Sequence, residues 1–234
     1  MNNPSPKKRP VKSYVLREGR ITTGQKKALN DLLPVYGIDS ESTNDHIDLN
    51  ELFGRTNSKI LEIGFGDGGA ILQMAQANPD IDYLGLEVHR PGVGRLLLQV
   101  ESLNITNIRV ACTDGAEFLR ERISSGSLSG INLFFPDPWH KKKHNKRRIV
   151  QPAFVDIVAE KLEPGGVFHF ATDWQDYAEA ALEVLTQNLQ LINLAGQGKF
   201  SPRPENRPLT KFEQRGHRLG HGVFDIVMQK QSLS

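Results

Sequence analysis

The sequence predicts an α/β chain organised around a mostly parallel, doubly wound sheet of about seven strands. Three observations carry that reading. Short apolar runs at 59–63, 81–88, 107–112, 130–135 and 166–172 are bounded by Gly, Pro, Asn or Asp. Helix-like segments at 69–77, 91–103, 115–123, 151–162 and 174–187 alternate with them, the last placing Tyr177, Ala181, Leu182 and Leu185 on one stripe. Two further runs, 189–195 and 223–229, follow as a terminal pair that completes the sheet.

Taken in order, residues 1–21 are rich in Pro and Lys and read as mobile, and residues 22–33 read as one helix. A division follows into a basic, partly disordered extension over 1–50 and a catalytic domain over 51–234. A length of 234 residues suits one substantial core, and 38% apolar and 24% charged residues match an ordinary globular protein. No apolar run approaches the ~18 residues a membrane span needs, and no secretory h-region is visible, so a soluble cytoplasmic protein is expected. The single cysteine, Cys112, excludes an internal disulfide framework and reads as a buried, inert thiol.

The net charge of +2 conceals a segregation: residues 1–30, 140–148 and 199–221 carry +7, +6 and +4, which leaves −15 for the rest. An acidic body with cationic appendages is the footprint expected for a nucleic-acid backbone, and solvated loops are the alternative for any one run.

In an open α/β sheet, ligands bind beyond the carboxyl ends of the strands. The first run leads into "EIGFGDGG", where Gly64, Gly66 and Gly68 allow a tight turn and close approach to a nucleotide. Glu62 lies just before it, Glu87 ends the second run and Asp114 follows the third. Glu87 stands where this architecture places a ribose-binding acid, and Asp114 is placed to meet an adenine amino group. Glu62 discriminates between ligands, because a carboxylate repels a pyrophosphate but suits the ammonium and sulfonium of S-adenosylmethionine. The fourth run leads into "FFPDPWHKKKHNKRR", where Pro136 and Pro138 restrict Asp137, Trp139 offers a stacking face and Lys/Arg follow.

These motifs, with "FATDWQDYAE" (170–179) and "TKFEQRGHRLGHGVFD" (210–225), resemble the bacterial tRNA (guanine-N7-)-methyltransferase family from about residue 60 to 229. The glycine motif is shared by many methyltransferases; the PDPWHKKKHNKRR and TKFEQRGHRLGH segments are far more diagnostic. The resemblance implies a Rossmann-like methyltransferase that uses S-adenosylmethionine to methylate N7 of guanosine 46 in the tRNA variable loop. It implies donor contacts from Glu62, Gly64, Gly66, Glu87, Asp114 and Asp137, with Asp137 as the catalytic residue. Lys141, Asp173, Thr210, Lys211, Phe212 and Glu213 are implied in substrate binding, and Lys143, His144, Asn145, Lys146, Arg147 and Arg148 in RNA contact.

Alternatives stay open for several of these. Asp173 could cap a helix, Asp137 could only shape a turn, and Thr210 with Glu213 fits a capping box. His217 and His221 have zinc-like spacing, but Gly216, Gly220 and Gly222 oppose a helix there and no metal is expected. A nicotinamide dehydrogenase shares the scaffold but conflicts with Glu62, and a donor-independent RNA binder leaves the glycines and acids unused. The expected partner is tRNA, with no membrane, acting as a monomer or homodimer.

Overall fold

The computed structural model of the chain describes residues 12–14, 19–38, 46–209, 213 and 222–232. Thr210 to Phe212, His217, His221 and most of the stretch expected to be mobile lie outside them. Three helices, α1 (Thr23–Asp31), α2 (Leu33–Tyr36) and α3 (Leu49–Phe53), precede strand β1 (Ser58–Ile63). The chain then alternates through α4 (Gly69–Ala77), β2 (Ile81–Leu86), α5 (Arg90–Ser102), β3 (Ile108–Ala111), α6 (Gly115–Arg122) and β4 (Leu128–Phe134). A 3₁₀ helix (Lys142–Arg147), α7 (Pro152–Lys161), β5 (Leu162–Thr172), α8 (Gln175–Gln187), β6 (Leu191–Asn193) and β7 (Phe224–Lys230) complete it.

The seven-stranded sheet has the order β3-β2-β1-β4-β5-β7-β6, parallel except where β7 runs against β5 and β6. The alternation expected from sequence is present, and the terminal runs form the antiparallel pair. β5 starts earlier than the apolar run suggested, because Leu162 pairs with Leu128 before a register shift leads to the Gly130–Val167 pair.

The sheet is covered on both faces, so its central strands are mostly buried. Leu61, Ile63, Leu84, Leu86, Ile131 and Leu133 pack with α6, α7 and α8, where the stripe Tyr177, Ala181, Leu182 and Leu185 is buried as its spacing required. Tyr83 and Phe134 join α4 and α5 on the other face. Among the described residues no helix is long and apolar enough to cross a membrane.

The segment 19–38 packs against this body. Thr22 starts α1 with a capping box: its Oγ1 accepts from Gln25 N–H at 3.2 Å, and Gln25 Oε1 accepts from Thr22 N–H at 2.9 Å. Ala28 and Leu29 are buried where α1 packs on α5, and Ile38 N–H donates to Val110 O at 2.8 Å beside β3.

Beside the carboxyl end of β5 lies a buried ionic cluster, its arginine 5.8 Å from the Phe135 ring. The Arg207 guanidinium, 1% exposed as a residue, donates to both carboxylate oxygens of Glu213 at 2.6 and 2.8 Å and to Asp225 Oδ2 at 3.1 Å. Asp225 also meets His169 Nε2 at 2.7 Å. Glu213 is thus buried and linked through Arg207 to Asp225 of β7. Replacing Arg207 by Met removes the guanidinium from between two buried carboxylates, and chemical denaturation should show a loss of roughly 3–5 kcal/mol. Arg203→Met, at the partly exposed margin of the cluster, should cost under ~1 kcal/mol; equal effects would show that the buried pairing is not what holds this end together.

Candidate active site

The chain runs from β1 outward to β2 and β3, then returns to lay β4 on the other side of β1, so a crevice opens between the carboxyl ends of β1 and β4. A cavity of about 400 Å³ occupies that place, a volume within the range of small-molecule sites. Gly64 and Gly66 line it, with φ of 73° and 61°, and a Cβ added at either would meet nothing within 4 Å. These are left-handed conformations that a side chain disfavours, and the bare backbone faces open space where a ligand can approach.

Glu87 fixes that turn. Its Oε2 accepts from Gly66 N–H at 2.8 Å and its Oε1 from His89 N–H at 2.9 Å, so one carboxylate joins the loops after β1 and β2. Its backbone is held from the far side, Glu87 N–H donating to Ala111 O at 3.1 Å and its C=O accepting from Thr113 N–H at 3.1 Å. Asp114, after β3, caps α6: its Oδ1 accepts from Ala116 N–H at 3.1 Å and more weakly from Glu117 N–H at 3.4 Å. Both acids line the cavity, and Asp137 lines it from the β4 side.

Glu62 is placed differently from these three. It lies in β1 in register with Gly85 and Asn132, is buried, and does not line the cavity. Its Oε2 has no hydrogen-bond partner among the described residues. Burial first, and the nearby charge of Glu87 second, push its carboxyl up to about 8. The sequence therefore brings Glu87, Asp114 and Asp137 to one wall and sets Glu62 behind it.

The loop after β4 is held by the arm that follows it. Phe135 takes φ 51° while its N–H donates to Ala171 O at 2.8 Å, and Pro136, Asp137, Pro138 and Trp139 follow, Trp139 at φ 50°. Arg148 is buried: its Nε donates to Pro138 O at 2.9 Å, it pairs with Asp176, and its guanidinium lies 4.8 Å from the Tyr177 ring centre. Arg148 thus braces the Asp137 loop from inside, with its guanidinium buried. Lys141, Lys143 and Lys146 are exposed, whereas His144 and Asn145 are partly covered, His144 standing edge-on to Trp139. Asp173 lies at the carboxyl end of β5 but does not cap α8, whose first turn follows Trp174.

One contribution carries no signal in the sequence. Ser13 and Tyr14 line the cavity, with Trp139 Nε1 donating to Ser13 O at 3.0 Å. Arg147, its guanidinium 3.8 Å over the Trp139 ring, donates to Lys12 O at 2.9 Å and Tyr14 O at 3.2 Å. A Lys/Pro-rich stretch gives no hint that it returns across a cleft some 130 residues away.

The cavity wall holds three carboxylates and, among its lining residues, no Lys or Arg. Such a wall fits S-adenosylmethionine, which has an ammonium and a sulfonium but no phosphate, and it disfavours a pyrophosphate. Cys112 is half-buried and burial raises its thiol, as befits an unreactive side chain. Among the described residues no three His, Cys, Asp or Glu are grouped to hold a metal ion.

Comparison with known proteins agrees with this geometry. A family described as "Putative methyltransferase" matches residues 56–226. The tRNA (guanine-N(7)-)-methyltransferase of Alcanivorax borkumensis is 51% identical over 224 residues, covering 96% of this chain and 93% of that protein. The protein of the same name from Chromobacterium violaceum is 51% identical over 231 residues, covering 99% of this chain and all of that one. The crystal structure of the 16S rRNA methyltransferase KamB shares the fold, with a TM-score of 0.59 at 15% identity over 80% of this chain and 95% of that chain.

The raised Glu62 carboxyl has a sign that can be checked. Its folded value lies above the unfolded one, so the protonated form is favoured by folding and stability is lost as pH rises from about 4.5 to about 8. The stability of wild type minus that of Glu62→Gln should therefore fall across that window, by up to a few kcal/mol, when both are unfolded in urea at several pH values. A difference that stays flat with pH would show that Glu62 is not desolvated in the folded chain.

Proposed function

The chain belongs to the tRNA (guanine-N(7)-)-methyltransferase family, and on that footing we propose that it methylates N7 of guanosine 46 in the tRNA variable loop, in the cytoplasm, with S-adenosylmethionine as donor. The observation that carries the reading is the phosphate-averse cavity with Asp137 on its rim and exposed Lys141, Lys143 and Lys146 directly beyond. Bound there, S-adenosylmethionine supplies an electrophilic methyl group on a sulfonium.

Glu87 and Asp114 are assigned to the donor, Glu87 keeping acceptor capacity for ribose hydroxyls beyond its two backbone bonds. Gly64 and Gly66 let that ligand lie against bare backbone. Glu62 contributes from behind the wall, where its negative charge, when ionised, adds to the potential that attracts a cation.

Guanine N7 carries an sp² lone pair, so no base is needed to remove a proton before methylation. The requirements are orientation, worth several kcal/mol, and electrostatic support for the cation that forms on the guanine ring. Asp137 is assigned that second role: its carboxylate stands at the rim on a loop held by two prolines and by Arg148 beneath. The same carboxylate can accept from guanine N1–H and N2–H, which adenine does not present in that pattern. Lys141, Lys143 and Lys146 supply the phosphate contacts that hold the RNA in register.

The test is nucleoside mass spectrometry of tRNA after incubation with enzyme and donor, which should show N7-methylguanosine. In single-turnover reactions at saturating tRNA and donor, Asp137→Asn should react at least ~10²-fold more slowly than wild type, while tRNA affinity hardly changes. A wild-type rate from the Asn variant would reduce Asp137 to a turn residue.

A further inference from the structure

Trp139 is the aromatic residue that sequence offers as a stacking face, and the structure commits it elsewhere. Its Nε1 donates to Ser13 O, the Arg147 guanidinium covers its ring at 3.8 Å, and His144 stands edge-on to it at 6.0 Å. The other tryptophan of the chain, Trp174, is different: it is 37% exposed, one of few large apolar side chains at the surface among the described residues. The His140 ring stands edge-on to it, with centroids 4.2 Å apart and planes at 70°. His140 is itself exposed.

We propose that Trp174 and His140 form a stacking subsite for a nucleobase of the tRNA, outside the donor cavity and distinct from the position of the methylated guanine. The inference rests on the tRNA reading given above. Four features support it. Both residues stand at the carboxyl ends of adjacent strands, β4 and β5, on the side of the sheet where Asp137 lies, yet neither lines the cavity. The backbone under the indole is fixed: Trp174 N–H donates to Thr172 Oγ1 at 3.2 Å, and its C=O accepts from Tyr177 and Ala178 N–H at 3.0 and 2.9 Å. Binding there therefore requires no ordering of the backbone, which favours stacking. His140 is followed directly by the exposed Lys141, so a phosphate grip adjoins the aromatic pair in the chain. Aromatic faces beside cationic side chains are the arrangement by which proteins hold unpaired bases with little sequence preference.

Trp174 can be read directly, since Trp139→Phe leaves it as the only indole. Titrating that variant with tRNA should quench its fluorescence, because a stacked base deactivates the indole, whereas heparin, which offers charge without bases, should not. Saturable tRNA binding without quenching, or equal quenching by heparin, would overturn the subsite. In the otherwise native chain, Trp174→Ala should weaken tRNA binding by about tenfold or more, with Trp174→Phe recovering most of it. The salt dependence of binding should be unchanged, since no phosphate contact is lost, and donor affinity should be as in wild type. An unaltered tRNA affinity for Trp174→Ala would sink the proposal even where the wild-type enzyme methylates tRNA. Absence of methylation by wild type would instead contradict the proposed function and leave the fluorescence result to judge the base contact alone.

Discussion

The site depends on one carboxylate. Glu87 accepts from Gly66 N–H and His89 N–H at once, and so fixes the glycine turn after β1 against the start of the helix that follows β2. The spacing between these elements is tight: a Cβ on Gly92 would stand 2.1 Å from Gly66 O. Backbone that close has no room for a side chain, and it opens the cradle toward the cavity. Asp114, anchored as the cap of α6, and Asp137, anchored through Pro138 and Arg148, then complete an acidic wall whose members come from three different strand ends.

The cationic residues divide as clearly as the acidic ones. Arg147 and Arg148 are neighbours in sequence with opposite duties. Arg147 covers Trp139 and holds Lys12 and Tyr14 by their carbonyls, whereas Arg148 is buried beneath the Asp137 loop against Asp176 and Tyr177. Arg207 performs a comparable internal task at the start of β7, joining Glu213 to Asp225 with its guanidinium 5.8 Å from the Phe135 ring. Lys141, Lys143 and Lys146 remain at the surface, where a polyanion can reach them. A run that reads as uniform positive charge thus divides into two scaffold arginines and four exposed lysines.

Much of this was legible in the sequence, and what was not has identifiable causes. Strand–helix alternation announced the sheet because burial on both faces demands apolar runs, and the two last runs supplied the pair that completes it, whose antiparallel sense came from the structure. The carboxyl-end rule placed Gly64, Gly66, Glu87, Asp114 and Asp137 together, since each follows its strand within a few residues. Glu62 fell outside that rule because it is inside β1, where strand pleat and not loop position decides which way the side chain points. The burial of Arg148 and Glu213 was not legible, because it is set by Asp176 and Tyr177 in one case and by Arg207 in the other. Charge runs carry no phase. The passage of Ser13 and Tyr14 across the cleft depends on Trp139 and Arg147, contacts that no local pattern encodes.

If the Glu87 cross-tie shapes the donor cradle, its loss must be felt by the donor itself. Glu87→Gln retains size and one acceptor oxygen but sets an amide NH₂ against one of the two backbone N–H groups. Calorimetric titration with S-adenosylmethionine should show affinity lowered by roughly 1–3 kcal/mol, the cost of a charged hydrogen bond lost and a donor left unpaired. Donor binding indistinguishable from wild type would contradict the account at its base.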